Sequence, residues 1–211
     1  MNSLASKSLF AAVPAAGIAG TGAYFGFVKS SNSEETIRSK LEQRNKDKPR
    51  TVLFSTSNTI WTKFKELYKN SESNKKITGI SESDLPNWCE VNLKKTYSDK
   101  ESSILEQASS WCVANTNTLK QELELEKLTF IADNADASSW QNAWNKYNGD
   151  KEGLEINSLK TPPVNGATDG GSKLQQWCKS KLEKHMYESF ADEEKTIEKV
   201  KKHCVSSRST A

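Results

Sequence analysis

Leu85, Pro86, Asn87, Trp88 and Cys89 return as Leu174, Gln175, Gln176, Trp177 and Cys178. Tryptophan and cysteine are rare residues, so a second L-x-x-W-C in 211 residues marks a duplicated unit that the fold must accommodate twice. Reading outward extends the match. Thr36, Ile37 and Leu41 correspond to Thr118, Leu119 and Leu123; Trp61, Phe64 and Tyr68 to Trp140, Ala143 and Tyr147; Trp111 and Cys112 to His203 and Cys204. The expected layout is a helical repeat over 36–115, a second over 118–204, and a disordered tail over 205–211.

The spacing within each copy predicts helices. Trp61, Phe64 and Tyr68 put three rings on one helical face, and Trp140 and Tyr147 repeat the seven-residue interval. Leu85, Trp88, Cys89 and Leu93 form a single apolar stripe, as do Leu174, Trp177, Cys178 and Leu182. Asp84 or Ser83 is the expected cap, with Pro86 in the first turn, where a missing N–H costs nothing. Ser98 and Glu101 read as a capping box for a further helix. The short apolar runs 51–54 and 128–131 fit either brief strands or helix turns. Between these elements lie two segments of unequal length, 70–83 and 148–172. The second contains Pro162, Pro163, Gly166, Gly170 and Gly171 and is expected to be irregular and exposed.

The four cysteines allow three pairings. Only Cys89 with Cys112 and Cys178 with Cys204 respects the duplication, and such bonds imply an oxidising compartment. Four buried thiols are the competing reading. Zinc on Cys178, His185, His203 and Cys204 is disfavoured, because no close-spaced ligand pair is present. His203 then reads as a replacement for tryptophan at a helix edge.

Composition makes such staples important. Leu, Ile, Val and Phe supply only about a fifth of the chain, near the level at which a strongly charged chain stays disordered. The net charge is only +3, and six Trp and five Tyr are available to carry the burial. The 30 basic and 27 acidic residues are interleaved, so no basic stripe offers a nucleic-acid surface. Phosphate-binding glycine loops, G-x-S-x-G and H-E-x-x-H are missing, no cofactor is implied, and no catalytic residue is assigned.

Residues 8–28 form an uncharged run, rich in Ala and Gly, with Tyr24, Phe25 and Phe27 near its end. It is long enough to cross a bilayer core as a helix. Three readings stay open: an uncleaved anchor over 1–29, a cleaved signal peptide, or a buried or disordered segment. Residues 30–35 follow as a polar tether. Lys7 faces Lys29, Arg38, Lys40 and Arg44 across the run, which by itself favours a cytoplasmic C-terminus, whereas the cysteines favour the outside. The expectation adopted is a single-pass protein contacting the bilayer through 8–28, its C-terminal domain extracellular.

With Ala15 to Gly26, Trp61, Tyr68, Leu85, Trp88, Cys89, Trp111, Cys112, Trp140, Tyr147, Leu174, Trp177 and Cys178 in place, the chain resembles the paralogous families of uncharacterised membrane-associated proteins of haemotropic mycoplasmas. His203 before Cys204 departs from the W-C form. The resemblance implies a surface position and diversification among paralogues, serving antigenic variation or contact with a host or cell-surface protein. It carries over no site residue. The alternatives are a hydrolase with a cleft between the repeats and an inward-facing membrane scaffold. The oligomeric state is left open.

Overall fold

The structure, a computed structural model, describes residues 35–160, 164–191 and 193–208. The apolar run 8–28, residues 30–34 of the tether, Pro162, Pro163 and the last three residues of the expected tail lie outside the described residues. Among the described residues no helix is long and apolar enough to cross a membrane.

The fold is mainly helical with a few short strands. In chain order the elements are α1 (Ile37–Arg44), β1 (Arg50–Val52), α2 (Trp61–Asn70), α3 (Leu85–Leu93), α4 (Ser102–Trp111), β2 (Val113–Asn115), α5 (Leu119–Glu124), β3 (Leu128–Phe130), α6 (Ala137–Gly149), α7 (Gly166–Leu182), α8 (Thr196–His203) and β4 (Val205–Arg208). The order helix, strand, three helices, strand therefore occurs over 37–115 and again over 119–208.

Each half starts from a reciprocal cap. Thr36 Oγ1 accepts from the Ser39 N–H at 3.1 Å and Ser39 Oγ from the Thr36 N–H at 2.9 Å. Thr118 and Gln121 repeat the exchange at 3.2 and 2.9 Å. Two otherwise unpaired helix-start donors are satisfied each time. The first helical N–H of each half then reaches a loop carbonyl, Ile37 to Lys95 at 2.9 Å and Leu119 to Lys184 at 2.7 Å.

The short apolar runs are strands, and each pairs with the end of its own half. β1 pairs antiparallel with β2, Val52 opposite Val113, while β3 pairs antiparallel with β4, Phe130 opposite Val205. Beside each ladder a disulfide closes nearly the same loop, Cys89–Cys112 with Cα atoms 5.6 Å apart and Cys178–Cys204 with 5.7 Å. Each spans roughly 25 residues, a loop whose closure entropy is worth about 3 kcal/mol. The buried apolar side chains form two clusters, one over 37–114 and one over 119–204.

Three expectations need correction. Residues 205–208 are no disordered tail, because β3 would otherwise leave its ladder groups unpaired. The segment 148–172 is not loop throughout: α7 begins at Gly166, and Gly170 and Gly171 are buried within it. A Cβ on Gly170 would stand 2.2 Å from the Trp144 ring, and one on Gly171 2.9 Å from the backbone of Trp140 and Gln141. These glycines let α7 approach α6 closely, so they serve packing rather than a turn. Finally, Ser98 does not cap α4. Its hydroxyl donates to the Glu101 carboxylate, a 3-10 turn fills 99–101, and the α-helix starts one residue later.

Candidate functional site

All four cysteines are fully buried in the two disulfides, which disposes of the zinc set. The His185 ring meets the Thr116 carbonyl at 2.9 Å through Nδ1 and stacks on Tyr187 with centroids 4.9 Å apart. Among the described residues, no three of His, Cys, Asp and Glu gather as a metal cluster.

The sequence-derived anchors Trp61, Tyr68, Leu85, Trp111, Trp140, Tyr147, Leu174 and Trp177 are buried, whereas Trp88 is half-buried. The tyrosines do the same work in both halves. Tyr68 Oη accepts from the Ile77 N–H at 3.1 Å, and Tyr147 Oη from the Ile156 N–H at 3.0 Å, so each pins a segment nine residues on. Burial pushes both phenols above their usual pKa. Trp111 meets Tyr68 edge-on with centroids 4.7 Å apart, and His203 meets Tyr147 edge-on at 4.9 Å. His203 therefore occupies the place that Trp111 holds in the first half.

Around these matched frames the side chains diverge. In the first half Phe64 lies between Trp61 and Trp111, with centroids 5.8 and 6.1 Å away. The corresponding residue of α6 is Ala143, and α6 carries its large ring one position on, at Trp144, which turns toward Gly170 of α7. Where Phe64 and Trp111 pack in the first half, the second half has a cleft of about 360 Å³ between α6, β3, α8 and β4. Ala143 and His203 both line it, together with Phe130 and Val205. Ser139, Asn142 and Lys146 line it from α6.

His203 is the polar group to explain in this cleft. Its side chain is nine-tenths buried, and Nε2 has no hydrogen-bond partner in the protein. Burial lowers its pKa below the usual histidine range, opposed by a hydrogen bond with the Leu154 backbone, and the Lys202 charge lowers it further. The imidazole is thus neutral at physiological pH. Lys202 at the rim is already engaged by Asp150 at 3.3 Å and Glu152 at 2.5 Å.

The second half also buries an ion pair that the sequence did not disclose. Lys199 donates to Glu193, both about 95% buried, and Glu193 accepts from the Asn157 N–H at 3.2 Å. Two residues six apart in a chain rich in charge carry no visible signal. Only the fold around α8 takes both away from water. Trp144, by contrast, sits four residues after Trp140, a helical interval that puts it on the same buried face of α6.

Comparison with known protein families, curated proteins and solved structures finds no match.

Proposed function

We propose that the chain is a membrane-anchored, outward-facing protein of two tandem repeats whose role is contact with other molecules, as an interaction or antigenic-variation protein. The observation that carries this reading is the pair of disulfides, one in each half, between corresponding cysteines. Disulfides persist in oxidising surroundings and staple domains whose cores are thin. The run 8–28 has the length of a bilayer-spanning helix, which supports the anchor, and the resemblance to the mycoplasma membrane-associated families points the same way. Shared caps, strand pairing and tyrosine bonds support descent of both halves from one unit.

A contact role agrees with how the halves differ. The frame is kept, while the segments joining α2 to α3 and α6 to α7 differ in length and composition. Loops held on a rigid scaffold are where binding surfaces vary at least cost to the fold. Protease applied to intact cells, followed by non-reducing peptide mapping, tests the reading. Released fragments joined 89 to 112 and 178 to 204 are expected. A protected protein with reduced cysteines would overturn it in favour of an inward-facing scaffold.

A further inference from the structure

We propose that Asn165 is a self-modifying site, converted to aspartate and isoaspartate by attack of its own neighbour Gly166, and that the fold protects the identical pair Asn148 and Gly149. The inference needs no partner and holds on either side of a membrane.

The chemistry is local. Two Asn-Gly pairs occur in the chain, both in the second half and both exposed. The backbone nitrogen of a glycine has no neighbouring side chain to screen it, so it can attack Cγ of the asparagine before it. A new N–C bond closes a five-membered imide, the bond from Cγ to the amide nitrogen breaks, and ammonia leaves with the proton of the glycine N–H. Water then opens the ring at either carbonyl. One opening gives aspartate, the other an isoaspartate whose backbone runs through the former side chain. One water is consumed and one ammonia released, with no oxidant or cofactor.

Hydrogen bonding, rather than exposure, separates the two pairs. At Asn165 ψ is 85°, which turns the Gly166 nitrogen away from Cγ, so attack requires rotation about the Cα–C bond of Asn165. No helical ladder resists that rotation. Asn165 precedes α7, its side chain makes no cap bond, and the Gly166 N–H is a helix-start donor without an acceptor four residues back. Gly166 has φ +76° and nothing within 4 Å of where a Cβ would stand. The restraint across the site is an exposed hydrogen bond, from the Asn165 N–H to Asp169 Oδ2 at 3.0 Å.

Asn148 and Gly149 instead lie inside α6, where each N–H bonds four residues back. The Asp150 N–H continues that ladder to the Lys146 carbonyl at 2.9 Å, and Asn148 Oδ1 accepts from Lys151 at 3.2 Å. The same rotation there must first open helical bonds.

Conversion has a structural consequence. Bonds from the Asn165 N–H and from Lys173, the latter at 2.9 Å, hold the Asp169 carboxyl below its usual pKa, so it is ionised. Aspartate at 165 adds a second negative charge beside it, and isoaspartate lengthens the backbone just before α7. The first turn of α7 contains Gly166 and Gly170 and has little helix propensity of its own. The segment joining α6 to α7 therefore changes charge and shape with time.

The test holds the full chain in warm, mildly alkaline water enriched in ¹⁸O and follows it by peptide mapping with mass spectrometry. Aspartate and isoaspartate carrying one solvent oxygen are expected at 165, about tenfold faster than at 148, the cost of opening one or two helical hydrogen bonds first. Reduced chain unfolded in urea should convert both sites at similar rates, since the reacting dipeptide is the same. Asn165→Gln, which would have to close a larger ring, should leave residue 165 unmodified and the slow reaction at 148 unchanged. Conversion at 148 as fast as at 165 in the folded chain would overturn the proposal. So would a folded chain in which 165 stays intact while both sites convert in the unfolded one.

Discussion

In the first half, Trp61 donates its ring N–H to the Ser55 carbonyl at 2.9 Å and Trp111 donates to the Lys75 carbonyl at 2.7 Å. In the second half the indole nitrogens of Trp140 and Trp177 and Nε2 of His203 are buried without a protein partner. The Trp140 case has a traceable cause. Leu53 and Ile131 both donate to the carbonyl of the second cysteine in their half, which aligns Ser55 with Asp133. The Asp133 carbonyl is taken by Gln175 at 2.6 Å, and the loop to Trp140 is one residue longer than its counterpart. The same backbone frame thus tolerates two quite different degrees of polar satisfaction. Disulfide, ladder and tyrosine bond set the frame, while individual rings can be lost, moved or left unpaired within it.

The strongest way to break the comparison is the buried ion pair, which the first half lacks at the corresponding place, where Glu101 matches Glu193 but the uncharged Gln107 matches Lys199. Lys199→Met should cost about 3–5 kcal/mol, because it leaves the Glu193 carboxylate buried without its cation. Replacing both residues should cost less than the sum of the singles, and a double-mutant cycle in urea measures the difference. Additive losses would mean that the two charges do not depend on each other.

Disulfide removal should treat the halves alike. Cys89→Ala with Cys112→Ala, or Cys178→Ala with Cys204→Ala, is expected to lower stability by about 3 kcal/mol, since the loops are of nearly equal length. Denaturant midpoints of the two double variants should agree closely. A much larger loss in the second would show that its unpaired rings leave it less margin.

Close packing of α6 on α7 should show in Gly170→Ala, expected to cost about 1–3 kcal/mol because the new methyl overlaps the Trp144 ring. The control is Gly149→Ala, which meets open space at the end of α6. Thermal unfolding separates the two.

His203 should give a smaller, pH-dependent effect. Its folded pKa is depressed, so the unfolded chain takes up the proton first as pH falls. Its contribution to stability is complete above the unfolded value of about 6.5, declines as pH drops below it, and levels off beneath the folded pKa. The charges of Lys202, Asp150 and Lys199 act on the ring. His203→Trp should remove this part of the acid slope, measured as the difference between wild-type and variant unfolding curves. The smallest change is expected for Gln175→Met, which frees the Asp133 carbonyl for Trp140 at a net effect of roughly 1 kcal/mol or less.

Much of the frame is legible in the chain, because rare residues repeat at matched spacing. Cys89, Cys112, Cys178 and Cys204 could pair in only one way that kept each bond within its own half, and the structure joins them so. The glycines of α7 misled in the other direction. Gly166, Gly170 and Gly171 carry the composition of a loop, and only the indole of Trp144 explains why two of them lie inside a helix. Strand β4 was equally hidden, since four polar-to-mixed residues near a terminus have no pattern until β3 supplies the partner.

Sequence by itself determined the helical faces, the one cysteine pairing that keeps each bond within a half though not that the bonds form, and the replacement of Phe64 by Ala143 and of Trp111 by His203. It could do so because these are properties of spacing along one chain. Tertiary structure decided that Ala143 and His203, sixty residues apart, line the same cleft, and that Nε2 of His203 is buried without a partner. The cost of a lost ring or an unpaired nitrogen depends on what packs against it from elsewhere in the fold, and that information is not local.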